Sequence, residues 1–336
     1  MALGALALAL GCLLALAGRD ASAQGPARVF ILQSYNPEYL WTQHILQGIQ
    51  EALAGLDVAY ETFYLDAKRQ TDPERLRQAA EKAWQRIERW APQVVVSVDD
   101  AAQALVVVPH LKDRDRPQVV FCGVNGPLTD YGFPAANVSG VRERWHFREG
   151  FALLKRINPS LRTAAFLIED SESGRFVTHD LQEEERRHGP YALALAGVEI
   201  VRTFQQWQRL VLGYQSRADV LALGIFNTLV DEATGRVVSP EEVMRWTHGV
   251  NARPTLGFTD AAREFGMFCG VLESGHEQGF LAGSMARDIL ARGVAAGSLP
   301  VKINVRGVVL LNLKTAARLG IAVPYEIIEA AEVVLQ

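Results

Sequence analysis

Short apolar runs alternate with amphipathic stretches along most of the chain. Residues 29–33, Val-Phe-Ile-Leu-Gln, form a compact apolar run that ends in a polar loop at 34–39. Trp41, Ile45, Ile49 and Leu53 then recur every four residues, which predicts a helix with one buried face. Residues 58–65 read as a second strand. Thr71-Asp72-Pro73-Glu74 predicts a helix start, with Asp72 as N-cap and Pro73 in the first position. Leu76, Ala80, Ala83, Ile87 and Trp90 supply its apolar stripe. Residues 94–98 are nearly all β-branched, the pattern of a strand covered on both faces. A helix over 101–108, stopped by Pro109, and a strand over 118–124 follow.

The same rhythm restarts after Gly140. A helix over 147–157, a strand over 163–168, a polar helix over 174–188 and strands over 198–204 and 218–223 are expected. Ser239-Pro240-Glu241-Glu242 is a capping box with proline in the first helical position. Short strands at 255–258 and 267–272 lead to a helix over 278–291, where Leu281, Met285 and Ile289 share a face. Strands at 301–305 and 308–311 and helices at 313–319 and 325–335 complete the pattern. Repeated β-α units imply parallel sheets with helices on both faces, and two such runs imply two α/β lobes. Residues 127–137, rich in Pro, Gly and Asn, precede the change of lobe.

Composition narrows the field. The 336 residues are 49% hydrophobic and 21% charged, which excludes a disordered chain. A formal net charge of −4 speaks against a nucleic-acid partner. Three cysteines are too few for a disulfide scaffold. The length suits two domains. Residues 1–17 are almost wholly Ala, Leu and Gly, and Ala21-Ser22-Ala23 follows. This predicts a signal peptide over 1–23, cleaved after Ala23, and a mature chain outside the cytoplasm. No Lys or Arg precedes the apolar run, so the true start is expected to lie a few residues upstream. Cys122 and Cys269 lie in apolar strand-like runs and read as two buried thiols, with a bridge as the alternative.

In open α/β sheets ligands bind beyond the carboxyl ends of the strands. That rule selects Ser34, Tyr35, Asn36, Asp66, Asp99, Asp100 and Asn125 in the first lobe. In the second it selects Asp170, Ser173, Phe226, Asn227, Asp260 and Glu273. The set is rich in hydrogen-bonding and aromatic side chains, and acids outnumber bases, which suits a small polar ligand with an amine. Several of these residues have a structural alternative. Asp99 or Asp100 could cap the next helix, and adjacent residues point opposite ways, so at most one of the two should face the cleft. Trp41 belongs to an apolar stripe and could serve packing or stacking. The seven histidines are scattered. No HExxH, P-loop, GxGxxG or GxSxG is present. No catalysis, cofactor or metal is therefore expected, with a hydrolytic enzyme as a remote third possibility.

Residues 31–42, Ile-Leu-Gln-Ser-Tyr-Asn-Pro-Glu-Tyr-Leu-Trp-Thr, followed by Ile45-Leu-Gln-Gly-Ile-Gln-Glu-Ala-Leu, resemble the opening of the ABC transporter substrate-binding family that includes tryptophan- and tyrosine-binding members. The same opening occurs in extracytoplasmic sensor domains. Val119-Val-Phe-Cys-Gly-Val-Asn, Glu277-Gln-Gly-Phe-Leu-Ala-Gly and the ending Val309-Leu-Leu-Asn-Leu-Lys-Thr-Ala-Ala-Arg-Leu-Gly-Ile-Ala-Val-Pro also resemble that family. The resemblance implies a type I periplasmic binding protein fold with a ligand cleft between two lobes. It implies lobe one at 24–141 plus 272–305 and lobe two at 142–271 plus 306–336. It implies a monomer that delivers an amino acid or related amine to a membrane ABC permease. The long segment 224–240 resembles the sensor-like branch, for which the partner would be a membrane histidine kinase or cyclase.

Overall fold

The structure, a computed structural model, describes residues 25–336 apart from Thr71. The predicted signal peptide lies outside the described residues. Among them, thirteen strands run in chain order. They are β1 (Ala27–Gln33), β2 (Val58–Tyr64), β3 (Val94–Val98), β4 (Gln118–Val124), β5 (Val138–Arg142), β6 (Thr163–Glu169), β7 (Ala194–Val201), β8 (Val220–Leu223), β9 (Thr255–Gly257), β10 (Cys269–Leu272), β11 (Lys302–Ile303), β12 (Val308–Asn312) and β13 (Val333–Leu335). One sheet has the order β11-β5-β4-β3-β1-β2 and is parallel throughout; the other has the order β13-β12-β10-β9-β8-β6-β7. Each sheet with its helices is one lobe. The chain leaves the first sheet after β5, returns after β10 and crosses again after β11.

All five residues of β3 are buried, as its β-branched run requires for a strand covered on both faces. Helix Leu40–Ala52 covers one face of the first sheet with Trp41, Ile45 and Ile49. Helix Gly275–Arg292, more than two hundred residues later, lies against it. The two backbones touch so closely that a Cβ on Gly279 would sit 2.1 Å from the Ile45 carbonyl oxygen, and one on Gly48 would sit 2.2 Å from that of His276. Asp72 accepts from the Glu74 N–H and Ser239 from the Glu242 N–H, so both helix starts read from capping residues form as their chemistry dictates.

The structure differs from the sequence pattern in several places. The helix expected to stop at Pro109 runs through it, from Asp99 to Leu111, because residues 103–111 widen into a π-helix. The wider coil relieves the clash between a proline ring and the carbonyl four residues back. The strand expected at 198–204 lies earlier, and Thr203 instead caps a helix, Phe204–Tyr214. That helix carries Phe204, Trp207, Val211 and Tyr214 on its buried face. β12 runs antiparallel to β10, because the chain re-enters the second sheet from the first rather than through a covering helix. The last helix ends at Ala330, and Val333–Leu335 pair with β12 as an edge strand. Cys122 and Cys269 are free, buried thiols on β4 and β10.

Candidate functional site

A cavity of about 460 Å³ lies between the lobes, at the carboxyl ends of β1, β3, β4, β6 and β8. Its first-lobe wall begins where β1 ends. The Ser34 hydroxyl donates to the Val98 carbonyl at 2.6 Å and accepts from the Ala102 N–H at 2.9 Å, which pins the loop that follows. Tyr35 and Tyr39 then meet edge to face, with ring centroids 5.6 Å apart. Trp41, on the first turn of its helix, adds a third ring.

Asp99 is the polar centre of this wall. It follows β3 with a left-handed backbone, φ 62°, and is only 2% exposed. One oxygen, Oδ1, accepts from Trp41 Nε1 at 2.8 Å; the other, Oδ2, is buried without a hydrogen-bond partner. Gly123, itself at φ 68°, makes room for it, since a Cβ there would lie 2.6 Å from Asp99 Oδ1. Next to it stands Glu143, just beyond β5. Glu143 accepts from Asn125 Nδ2 at 3.0 Å and from Trp145 Nε1 at 2.6 Å. Burial raises the pKa of Asp99 well above the ordinary carboxylate range, and the nearby charge of Glu143 adds to this. Burial likewise pushes Glu143 up to about 8. The Tyr35 and Tyr39 phenols are raised by burial, so both stay protonated and able to donate.

The second-lobe wall comes from helix Glu172–His188 with Ser173 and Val177, from Ile225 and Asn227 after β8, and from Thr259, Asp260 and Phe265 after β9. Among the described residues, four hydrogen bonds or ion pairs bridge the lobes. Tyr35 and Ser173 hydroxyls are 3.3 Å apart, His44 Nδ1 and Asp260 Oδ2 are 2.6 Å apart, Lys68 Nζ lies 3.8 Å from Glu169 Oε1, and Arg142 at the end of β5 donates to Asp180 Oδ2 at 2.6 Å. Lys68 Nζ also sits 4.5 Å from the Tyr35 ring centroid and 5.3 Å from that of Tyr39, a cation over two π faces. The cavity is thus an aromatic box with buried carboxylates on one side and a single tethered ammonium. Such a box can hold a small polar ligand by hydrogen bonds, charge and stacking.

The model of one protein family, described as ABC transporter substrate binding protein, matches residues 41–335. The chain belongs to that family. Solved structures agree on the fold. An ABC domain in complex with L-Trp from Streptococcus pneumonia has a TM-score of 0.70 at 20% identity, covering 93% of this chain and 100% of that one. A conserved domain protein from Vibrio cholerae has a TM-score of 0.69 at 18% identity, covering 92% and 99%. A ligand-free, open substrate-binding protein with adhesive properties from Clostridium difficile has a TM-score of 0.67 at 16% identity, covering 92% and 99%. The fold is that of a type I periplasmic binding protein. No curated protein sequence matches the chain.

Of the residues selected from the sequence, this substrate-binding protein brings Tyr35, Asn36, Trp41, Asp99, Asn125, Ser173, Asn227 and Asp260 to the cavity. Ser34 lies beneath the wall as the loop's anchor. Asp100 points away and accepts from the backbone N–H groups of Asn125 and Gly126 and from the Tyr131 hydroxyl. Neither Asp99 nor Asp100 caps the helix after β3. Trp41 does both jobs open to it, packing in the core and lining the cavity. Asp170 pairs with Arg175 of the helix that follows it, and Asp66 with Arg69. Phe226 is wholly buried between Trp207 and Phe265. Glu273 is buried at the return crossover, where it accepts from Gln278 and Asn304. Tyr39, Lys68, Glu143, Trp145, Ile225 and Phe265 also line the cavity without having been selected. Tyr39 shares the polar loop of Tyr35, and Lys68 follows a strand, so the strand-end rule reaches both when it is extended by a few residues. Glu143 and Trp145 follow β5, a strand that the pattern does not mark. Among the described residues, no group of three or more His, Cys, Asp or Glu could hold a metal ion, and no helix is long and apolar enough to cross a membrane.

Proposed function

We propose that the chain is an extracytoplasmic solute-binding protein. It closes its two lobes over a small polar ligand, an amino acid or related amine-bearing molecule, and delivers it as a monomer to an ABC permease. No bond is made or broken. Residues 24–141 with 272–305 move as one lobe, and 142–271 with 306–336 as the other. A ligand that touches both walls stabilises the closed state by its differential contacts.

One observation carries this reading. Asp99 presents a buried, unpartnered carboxylate oxygen on the wall of an aromatic-lined cavity. An acceptor left unsatisfied away from water is costly, and a ligand N–H or ammonium relieves that cost on arrival. The rings of Tyr35, Tyr39, Trp41 and Trp145 suit the apolar part of such a ligand. The Streptococcus relative described in complex with L-Trp supports an aromatic amino acid as the first compound to try.

The test is native against denaturing mass spectrometry of protein taken directly from the periplasm. A defined extra mass in the native spectrum alone identifies the ligand, and the denatured mass reports whether the chain begins at Gln24. Turnover of the bound compound, or retention of the protein in the cytoplasm, overturns the reading. Substrate-specific uptake lost on deleting the adjacent permease gene separates transport from signalling through a kinase or cyclase.

A further inference from the structure

We propose that His44 and Asp260 form a pH-sensitive latch, closed while His44 is protonated and released when it loses that proton. His44 belongs to the first-lobe helix Leu40–Ala52, and Asp260 follows β9 in the second lobe. Their side chains meet at 2.6 Å, and both are partly open to solvent, 33% and 21% exposed. Asp260 precedes a short helix, Ala261–Glu264, yet its carboxylate does not cap that helix. Its oxygen reaches across the lobe boundary instead. Asp260 also lines the ligand cavity, so the latch stands at the edge of the cleft rather than on a remote surface.

The charges around the pair set the direction of the switch. A small crevice of about 270 Å³ is shared by His44, Asp260 and Arg263 with Glu273 and His276 of the return crossover. His276 is engaged by Glu51 at 2.8 Å, on the same helix as His44. Arg263 opposes a proton on His44, but the direct bond to Asp260 outweighs it and burial, and raises the His44 pKa. A histidine that binds its proton more tightly when latched contributes closing free energy below its ordinary value of about 6.5. It loses that contribution as the pH rises through the higher latched value. One titrating proton changes the closed-to-open ratio by at most about tenfold per pH unit. Of the four contacts that bridge the lobes among the described residues, this is the one that contains a histidine. The others join two hydroxyls, Lys68 with Glu169, and Arg142 with Asp180.

The inference rests on the reading that the lobes move about the crossovers, and its test uses no ligand, so an error in ligand class leaves it intact. Small-angle scattering of the unliganded protein is recorded between pH 5.5 and 8.5 for the parent, His44→Gln and Asp260→Asn, with circular dichroism to check folding. The parent should be compact at pH 5.5 and expand toward pH 8.5. Both variants should keep the expanded radius at every pH. A parent radius that does not change with pH overturns the proposal. So does the parent's pH dependence persisting in either variant, or a variant that stays compact throughout.

Discussion

Asp99 uses its two oxygens differently: one holds Trp41 in place, and the other is left for something that enters the cavity. Asp99→Asn keeps the shape and removes the acid that an arriving ammonium would draw into its ionised form. It should weaken binding of an amine-bearing ligand about 10- to 100-fold, the range of a hydrogen bond to a charged group, measured by titration calorimetry with the compound recovered from the native protein. Unchanged affinity would remove Asp99 from the binding wall. Glu143 makes a second residue-scale prediction. Its native pKa of about 8 exceeds the ordinary value, so the folded state keeps a proton that the unfolded chain releases. Stability of the empty protein should therefore fall as the pH rises from about 5 to 8, and Glu143→Gln should flatten that slope in thermal unfolding. The sequence could not separate Asp99 from Asp100, since both follow β3. The left-handed turn at Asp99 and the space beside Gly123 decide between them, and both are backbone facts with no one-residue signature.

At the scale of elements, the pairing of helices Leu40–Ala52 and Gly275–Arg292 depends on what is missing from their surfaces. Gly279→Ala would press a methyl group against the Ile45 backbone, which cannot retreat as a flexible side chain could. It should cost about 1–3 kcal/mol in denaturant unfolding, the usual range for overpacking. Ser171 caps the helix that carries Ser173 and Val177 to the cavity, accepting from the Gly174 N–H at 3.1 Å. Ser171→Ala should cost about 1 kcal/mol by the same measurement. Helices that announce their starts with Asp-Pro or Ser-Pro were legible in the sequence. Helix Phe204–Tyr214 was not, because the mixed stretch 198–204 fits a strand that takes in Phe204, and the polar residues between its buried positions hide the spacing. β13 escaped for another reason. Three residues carry too little pattern, and their strand state comes from β12, about twenty residues away.

The whole molecule turns on the place where three crossovers meet. Asn304, fully buried after β11, accepts from the Arg144 N–H at 2.8 Å and from Gln278 Nε2 at 3.1 Å, and donates to Glu273 and to the Arg144 carbonyl. One side chain thereby ties all three connections. Asn304→Ala leaves those partners unsatisfied and should cost about 1–3 kcal/mol per stranded group in equilibrium unfolding. Much of the cleft was legible because strand ends can be read from apolar runs. Glu143 and Trp145 lie on a crossover, and only the meeting of two sheets makes a crossover part of a binding wall. The interlacing of the chain also governs how it can be made. The first sheet takes β11 from residues 302–303, and the flank of helix Leu40–Ala52 around Gly48 is covered by a segment that begins at Gly275. A nascent chain halted before Gly275 would leave the flank of that helix around Gly48 and Ala52 uncovered. Neither half can finish folding until the ribosome has nearly finished translation, so the polypeptide stays threadable for most of its synthesis.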